Sequence, residues 1–300
     1  MRSSPDELRR NVSQDVSPTE PMSEADPSLQ RILVALDASP HSQAALDAAV
    51  RLATDLGAEV EGLFVEDETL LRAAQLPFAE EVRASTTSPK ALTDRRMQRQ
   101  LRYQAEYAEQ TLRRAGERAE VTVEFDVVQG NVTRELLNAA TEVDLLVLGK
   151  TSTDSSRRQL GTTSRTVLTD APAPVLVLRE VVPPQQPVLV YYDGCPAAKT
   201  ALEVAARLSR RGEARPIRVL LPASDDATTE RLRDEVQSYV GDPEMPVSMH
   251  VLTRAESRRL SAFARREGGL VILPDDCVPL SQVPLRQFLY EIDRPLLVMR

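Results

Sequence analysis

The stretch DLLVLGKTSTDSSRRQLGTTSRTVLTDAPAPVLVLR, Asp144 to Arg179, decides how this chain is read. Its first residues, through Leu148, form a short apolar run of the kind that fills a parallel strand covered on both faces. The run stops at Gly149, where the absence of a Cβ lets another group come close. After a loop carrying Arg157 and Arg158, the small residues Gly161-Thr162-Thr163-Ser164 precede a helical run that includes Val167 and Leu168. Free backbone N–H groups, side-chain hydroxyls and the positive end of a helix meet there, which suits an anion and most simply a phosphate. Pro174-Val-Leu-Val-Leu-Arg179 then reads as a further strand.

The flanks repeat this alternation of strand and helix. Ile32 to Leu36 is an apolar strand that ends in Asp37, at the sheet edge where open α/β folds bind ligands. A helix follows, with apolar positions at Ala45, Ala48, Ala49, Leu52, Ala53 and Leu56. Ala58 to Asp67 is a second strand, and Phe125 to Val128 with Gly130 leads into a short helix bearing Leu136, Leu137 and Ala140. Between them, Glu68 to Glu120 is longer than a crossover needs. Its later part places Met97, Leu101, Ala105, Ala108, Leu112, Ala115 and Ala119 on one helical stripe, which packs most simply on the sheet. Its earlier part, Leu70 to Lys90, contains Leu76-Pro77-Phe78 and Ser85-Thr86-Thr87-Ser88-Pro89 and reads as irregular or partly helical: a lid, a contact surface or a packed decoration.

Together these residues resemble the universal stress protein family. The usual nucleotide loop of that family is Gly, two residues, Gly, nine residues, Gly, then Ser or Thr. Here Gly149 and Gly161-Thr162 fit the pattern, Ser152 stands at the second Gly, and the spacer after it is one residue shorter. The resemblance covers roughly Gln30 to Glu180. It implies ATP as the ligand, with or without Mg2+. By the same resemblance Asp37 contacts the adenosine part, Ala35 lies beside it and Val65 lies on the adenine. Leu148, Gly149, Ser152, Gly161, Thr162, Thr163 and Ser164 match the family's phosphate and ribose positions. Read without the resemblance, Asp37 caps the helix that starts near Pro40, a task Ser39 does equally well, and the Gly/Thr cluster is an ordinary strand-to-helix turn.

A weaker second copy follows. Val188-Leu-Val-Tyr-Tyr-Asp193 echoes Ile32 to Asp37, Ala197 to Ser209 echoes the first helix, and Pro295 to Arg300 echoes Pro174 to Arg179. In this copy Pro274-Asp275-Asp276 follows the strand Leu270 to Leu273, where the first copy has Gly149. The two carboxylates are read as surface-solvated groups that would repel a phosphate, so the second copy is expected to be a degenerate domain without nucleotide. The expected fold class is α/β: two tandem open parallel-sheet domains, Rossmann-like and similar to the adenine-nucleotide alpha hydrolases, with helices on both faces. The expected division is a mobile tail over 1–29, a nucleotide-binding domain over 30–180, a Pro-stiffened linker over 181–187 and the degenerate domain over 188–300. Val175–Leu178 and Leu296–Met299 are expected to pair inside one molecule as a pseudo-dimer, covering edges that would otherwise associate, and a homodimer of whole chains is the further option.

Bulk properties narrow the function. The chain has 300 residues, a net charge of −8 and a pI near 5.1, which argues against a general role on nucleic acid. No run approaches the ~20 apolar residues of a membrane helix. Cys195 and Cys277 form no close-spaced motif and His41 and His250 are the only imidazoles, so neither a disulfide framework nor a metal centre is indicated, and the cytoplasm is the expected compartment. Gly149-Lys150-Thr151 is no Walker A loop, because Asp144 stands where that motif needs Gly. A phosphoacceptor receiver domain needs an acidic cluster that neither copy shows, and no Ser/His/Asp or Cys/His arrangement is present. The reading is an ATP-binding stress-response sensor or regulator acting through a protein partner, with at most slow hydrolysis. A nucleotide-independent interaction protein with a lost site is the alternative, and an enzyme of the wider adenine-nucleotide group is a third reading.

Overall fold

The computed structural model describes residues 29–76, 80–81, 90–91, 93–149, 161–178, 186–210, 215–222, 224–240, 245–275 and 294–300. The expected tail lies outside these residues except for Leu29, which is buried, and only Gln186 and Pro187 of the expected linker are described.

Apolar strands separated by amphipathic helices have one economical arrangement, a parallel sheet covered on both faces. The first half supplies β1 (Arg31–Leu36), α1 (Pro40–Leu56), β2 (Glu59–Asp67) and α2 (Glu68–Ala74). A two-stranded antiparallel pair, β3 (Glu80–Glu81) and β4 (Lys90–Ala91), precedes α3 (Asp94–Ala119). Then come β5 (Val123–Gly130), α4 (Val132–Ala139), β6 (Leu145–Gly149), α5 (Thr162–Asp170) and β7 (Val175–Leu178). The second half supplies β8 (Val188–Tyr191), α6 (Pro196–Arg210), β9 (Ile217–Leu221), α7 (Asp226–Val240), β10 (Val247–Val251), α8 (Arg254–Arg258), α9 (Leu260–Glu267), β11 (Leu270–Pro274) and β12 (Leu296–Met299).

Local sequence explains several boundaries. Ser39 caps α1 by accepting the Ser42 N–H at 3.2 Å, Pro40 opens the helix, and Gly57 ends it with φ 72°. The segment after β2, expected to be irregular or partly helical, begins with α2, capped by Asp67 through the Thr69 N–H at 2.8 Å. On α3 the buried stripe is Met97, Leu101, Ala105, Ala108, Leu112 and Gly116, with Ala115 and Ala119 partly buried beside it.

Ten strands form one sheet in the order β10-β9-β8-β11-β12-β7-β6-β1-β2-β5. Each half contributes the same order, and every pair is parallel except β7 with β12. At that junction Val175 faces Val298, Leu176 faces Leu297 and Val177 faces Leu296. The β6–β7 and β11–β12 registers make Leu176 and Leu297 equivalent positions, so a local two-fold relation passes between them.

Strand alternation sorts the apolar residues to two faces. One face carries Ile32, Val34, Val60, Val147, Val190 and Ile272 under α1, α3, α6 and α7. The other carries Leu33, Leu63, Leu146, Leu189 and Val271 under α4, α5 and α9. Both cores run across the junction, so the halves share their interior.

An apolar strand without a neighbour invites association. A chain ending at residue 182 is expected to dimerise or aggregate through β7 at tens of micromolar, and Val177→Lys is expected to keep it monomeric. Sedimentation reads both, and a monomeric fragment without the Lys would contradict the role given to this edge. In the full chain, Leu297→Ala is expected to cost about 2–5 kcal/mol in urea unfolding, as for other large buried truncations.

Candidate functional site

In a parallel sheet all strands of a half end on the same side, and the helices that follow them leave a crevice there. The first half has such a cavity, of about 350 Å³. Its floor is Ala35 and Leu36 from the end of β1, Leu63, Phe64 and Val65 from β2, and Leu148 and Gly149 from β6. Leu70 of α2, Leu101 and Gln104 of α3, and Val132 and Leu136 of α4 wall it, and Thr163 and Ser164 of α5 close it. Asp37, Ser42 and Asp67 complete the lining.

The polar groups divide into two ends. Asp37 and Asp67 follow or end neighbouring strands, and each carboxylate accepts the N–H two residues on, from Ser39 at 3.0 Å and from Thr69 at 2.8 Å. Opposite them, α5 begins at Gly161, whose carbonyl accepts the Arg165 N–H at 3.1 Å. The N–H groups of the first turn of α5 have no partner within the helix, so this end carries partial positive charge. Ser164 in that turn is buried, and Thr163 Oγ1 lies 3.5 Å from Thr133 Oγ1 of α4. Between the two ends the walls are mostly aliphatic and aromatic, with Gln104 as a polar side chain among them.

Of the residues expected at the site, Ala35, Asp37, Val65, Leu148, Gly149, Thr163 and Ser164 line this one cavity. Gly161 and Thr162 sit at the start of α5 without lining it. Ser152, with Arg157 and Arg158, lies outside the described residues. Ser39, and not Asp37, caps α1. Gly161 has φ −58° and ψ 158°, a conformation open to any residue, so backbone geometry does not demand glycine there.

Gly149 is demanded for a reason other than ligand approach. A Cβ at that position would lie 2.5 Å from the His41 carbonyl oxygen and 2.9 Å from the Ser42 nitrogen. The strand end is pressed against the first turn of α1, and backbone, not a movable side chain, sets the contact.

Asp67, Leu70, Leu101, Gln104, Val132 and Leu136 also line the cavity and were not singled out from the sequence. Asp67 had a visible signal, since it ends an apolar strand as Asp37 follows one. The others belong to elements legible in sequence, but which side chains turn inward depends on how α2, α3 and α4 pack.

The second half differs at the corresponding place. Strand registers put Tyr191 where Ala35 stands, Tyr192 where Leu36 stands and Pro274 where Gly149 stands. Tyr191 is only 1% exposed and packs in the core cluster with Leu220, Leu252, Leu260 and Phe263, on the face that is hollow in the first half. Tyr192 donates its hydroxyl to Glu235 at 3.0 Å; burial first, and then that bond, raise its pKa. Asp275, expected as a solvated carboxylate, is ion-paired with Arg300 at 2.6 Å. Its charge is compensated by that pair. Asp276 lies outside the described residues.

Among the described residues no three His, Cys, Asp or Glu side chains converge as a metal site requires, and no helix is long and apolar enough to cross a membrane.

The profile of the Universal stress protein family matches residues 28–179, the half that contains the cavity. Among solved structures, a universal stress protein from Archaeoglobus fulgidus DSM 4304 is 18% identical, with a TM-score of 0.66 over 89% of this chain and 97% of that one. A protein of unknown function from Pseudomonas aeruginosa PAO1 is 11% identical, with a TM-score of 0.55 over 91% of this chain and 92% of that one. A universal stress protein solved in complex with cAMP is 21% identical, with a TM-score of 0.37 over 51% of this chain and 98% of that one. The first two extend the fold likeness over both halves. No curated protein sequence matches.

Gly149→Ala is expected to destabilise the protein by about 1–3 kcal/mol, the usual cost of overpacking, because neither the His41 carbonyl nor the Ser42 amide can step aside as a flexible side chain would. Urea unfolding without any ligand reads this. An unchanged midpoint would refute the packing role.

Proposed function

The chain belongs to the universal stress protein family, and from that premise we propose that its first half binds one adenine nucleotide, ATP, and that the protein is a stress-response regulator whose occupancy is read by a protein partner. The observation that carries the proposal is the convergence of seven expected site residues on one cavity with a positive helix end and a carboxylate end. Its volume of about 350 Å³ lies at the lower part of the ~300–1,000 Å³ range of ligand pockets.

Each part of the cavity suits one part of the nucleotide. Val65, Leu63 and Leu136 offer apolar surface to the adenine, and Ala35 leaves room for it. Asp37 accepts hydrogen bonds from the adenosine moiety. Leu148 and Gly149 border the ribose, and the first turn of α5, with Gly161, Thr162, Thr163 and Ser164, receives the phosphates, where the helix dipole favours negative charge. Ser152 belongs to the same phosphate set by its place in the loop. Among the described residues no acidic cluster converges, so a divalent ion would arrive on the phosphates.

The division into a nucleotide-binding domain over 30–180 and a non-binding domain over 188–300 belongs to the same proposal. It is supported by Tyr191, which is buried at the position equivalent to Ala35. No catalytic step is proposed.

Calorimetry on the full chain is expected to give one equivalent of ATP. Ala35→Tyr, which installs the second half's residue, is expected to weaken ATP and adenosine alike by at least ~100-fold, about 2.8 kcal/mol, while the far-UV spectrum stays that of the parent. No binding by the parent chain would refute the nucleotide reading and favour a nucleotide-independent interaction protein. Two equivalents would refute the asymmetry between the halves.

A further inference from the structure

The helix that faces the candidate phosphate position is held at its other end by the opposite half of the molecule. Arg300, directly after β12, donates from Nε to the Ala171 carbonyl at 2.9 Å and from Nη2 to the Leu168 carbonyl at 2.6 Å. Its Nη1 donates to Asp275 Oδ2 at 2.6 Å. The Arg300 side chain is only 16% exposed, so these bonds form largely out of water.

The chemistry of the α5 terminus explains why it takes a guanidinium. The Leu168 carbonyl would ordinarily accept the N–H four residues on, and that residue is Pro172, which has none. Ala171 closes the last turn by donating to Val167 at 2.9 Å, which leaves its own carbonyl pointing past the helix. A planar fork with several donors satisfies both carbonyls at once, and its positive charge complements the negative helix end. Asp275 holds the fork in place, and its own N–H donates to the Met299 carbonyl at 3.0 Å, so β11 and β12 anchor the clamp.

A helix of nine residues spans only about 14 Å, and Thr163 and Ser164 line the cavity from its first turn. Fixing one end of so short a rod fixes the other. Resting on the adenine-nucleotide reading of that cavity, we propose that Arg300, oriented by Asp275, is a positioning residue for the phosphate end of the site, so that the second half sets the first half's affinity for the phosphates without touching the ligand.

The test uses the full-length protein and the variants Arg300→Met, which keeps the apolar stem and removes the donors, and Arg300→Lys, which keeps the charge without the fork. Affinities for ATP and for adenosine are measured by calorimetry, and amide hydrogen exchange across α5 is measured without ligand. For Arg300→Met the expectation is a loss of about tenfold or more for ATP, a change within about twofold for adenosine, and faster exchange in α5. Arg300→Lys is expected to recover part of the ATP affinity. Unchanged ATP affinity, or parallel losses for ATP and adenosine, would overturn the proposal. If the parent chain binds neither ligand, the nucleotide reading fails by itself. The clamp is then judged on exchange alone: α5 amides as protected in Arg300→Met as in the parent would overturn it, and faster exchange confined to α5 would support it.

Discussion

The antiparallel contact between β7 and β12 is the constraint on which the rest of the molecule depends. Both strands are four buried residues, too apolar to face water and, as the last strand of each half, left with an open edge. Their pairing makes one ten-stranded sheet out of two five-stranded ones and lets the cores on both faces continue from one half into the other. The strands left at the two ends of the sheet, β5 and β10, are only partly buried and carry polar side chains, which suits an edge that stays in solvent. The distribution of apolar residues thus selects which edges close and which remain open.

Two halves with the same strand order differ in what lies beyond the strand ends. In the first, Ala35 keeps the floor low and a cavity forms between α2, α3, α4 and α5. In the second, Tyr191 stands at the position equivalent to Ala35 and is buried in the core cluster that includes Leu260 and Phe263 of α9. Burying the aromatic ring adds apolar contact to the core of the second half. The residues after β11 follow the same division. Asp275 turns toward Arg300 and takes part in the contact between halves. The second half is therefore bound to the first through the α5 terminus as well as through the shared sheet, the packing of α1 on α6 and the common cores.

Two backbone features define the start of the site. Gly149 lets β6 end against the first turn of α1, and Ser39 caps that helix so that Asp37 is not needed for the task. The Asp37 carboxylate makes an Asx turn at the cavity's acidic end, and the opposite end is formed by the first turn of α5.

Much of this was legible in the sequence. Apolar runs bounded by Gly and Asp marked the strands, the stripe from Met97 to Ala119 marked α3, and the echo of Val175–Leu178 in Leu296–Met299 marked the two edges that pair. Hydrophobic period and residue size are local properties, and they are strong where a strand is buried on both faces. Asp37, Gly149, Thr163 and Ser164 could be named because strand ends and helix starts are defined by neighbours in the chain. The stripe of α3 set which side of the helix is buried, but only the tertiary structure decided that Leu101 and Gln104 lie where α3 passes the cavity. It also decided that Tyr191 is buried at the position equivalent to Ala35, that Gly149 answers to the backbone of α1, and that Asp275 is ion-paired. Each of these depends on residues tens of positions apart or more meeting at a few ångströms, a distance that no pattern along the chain encodes by itself.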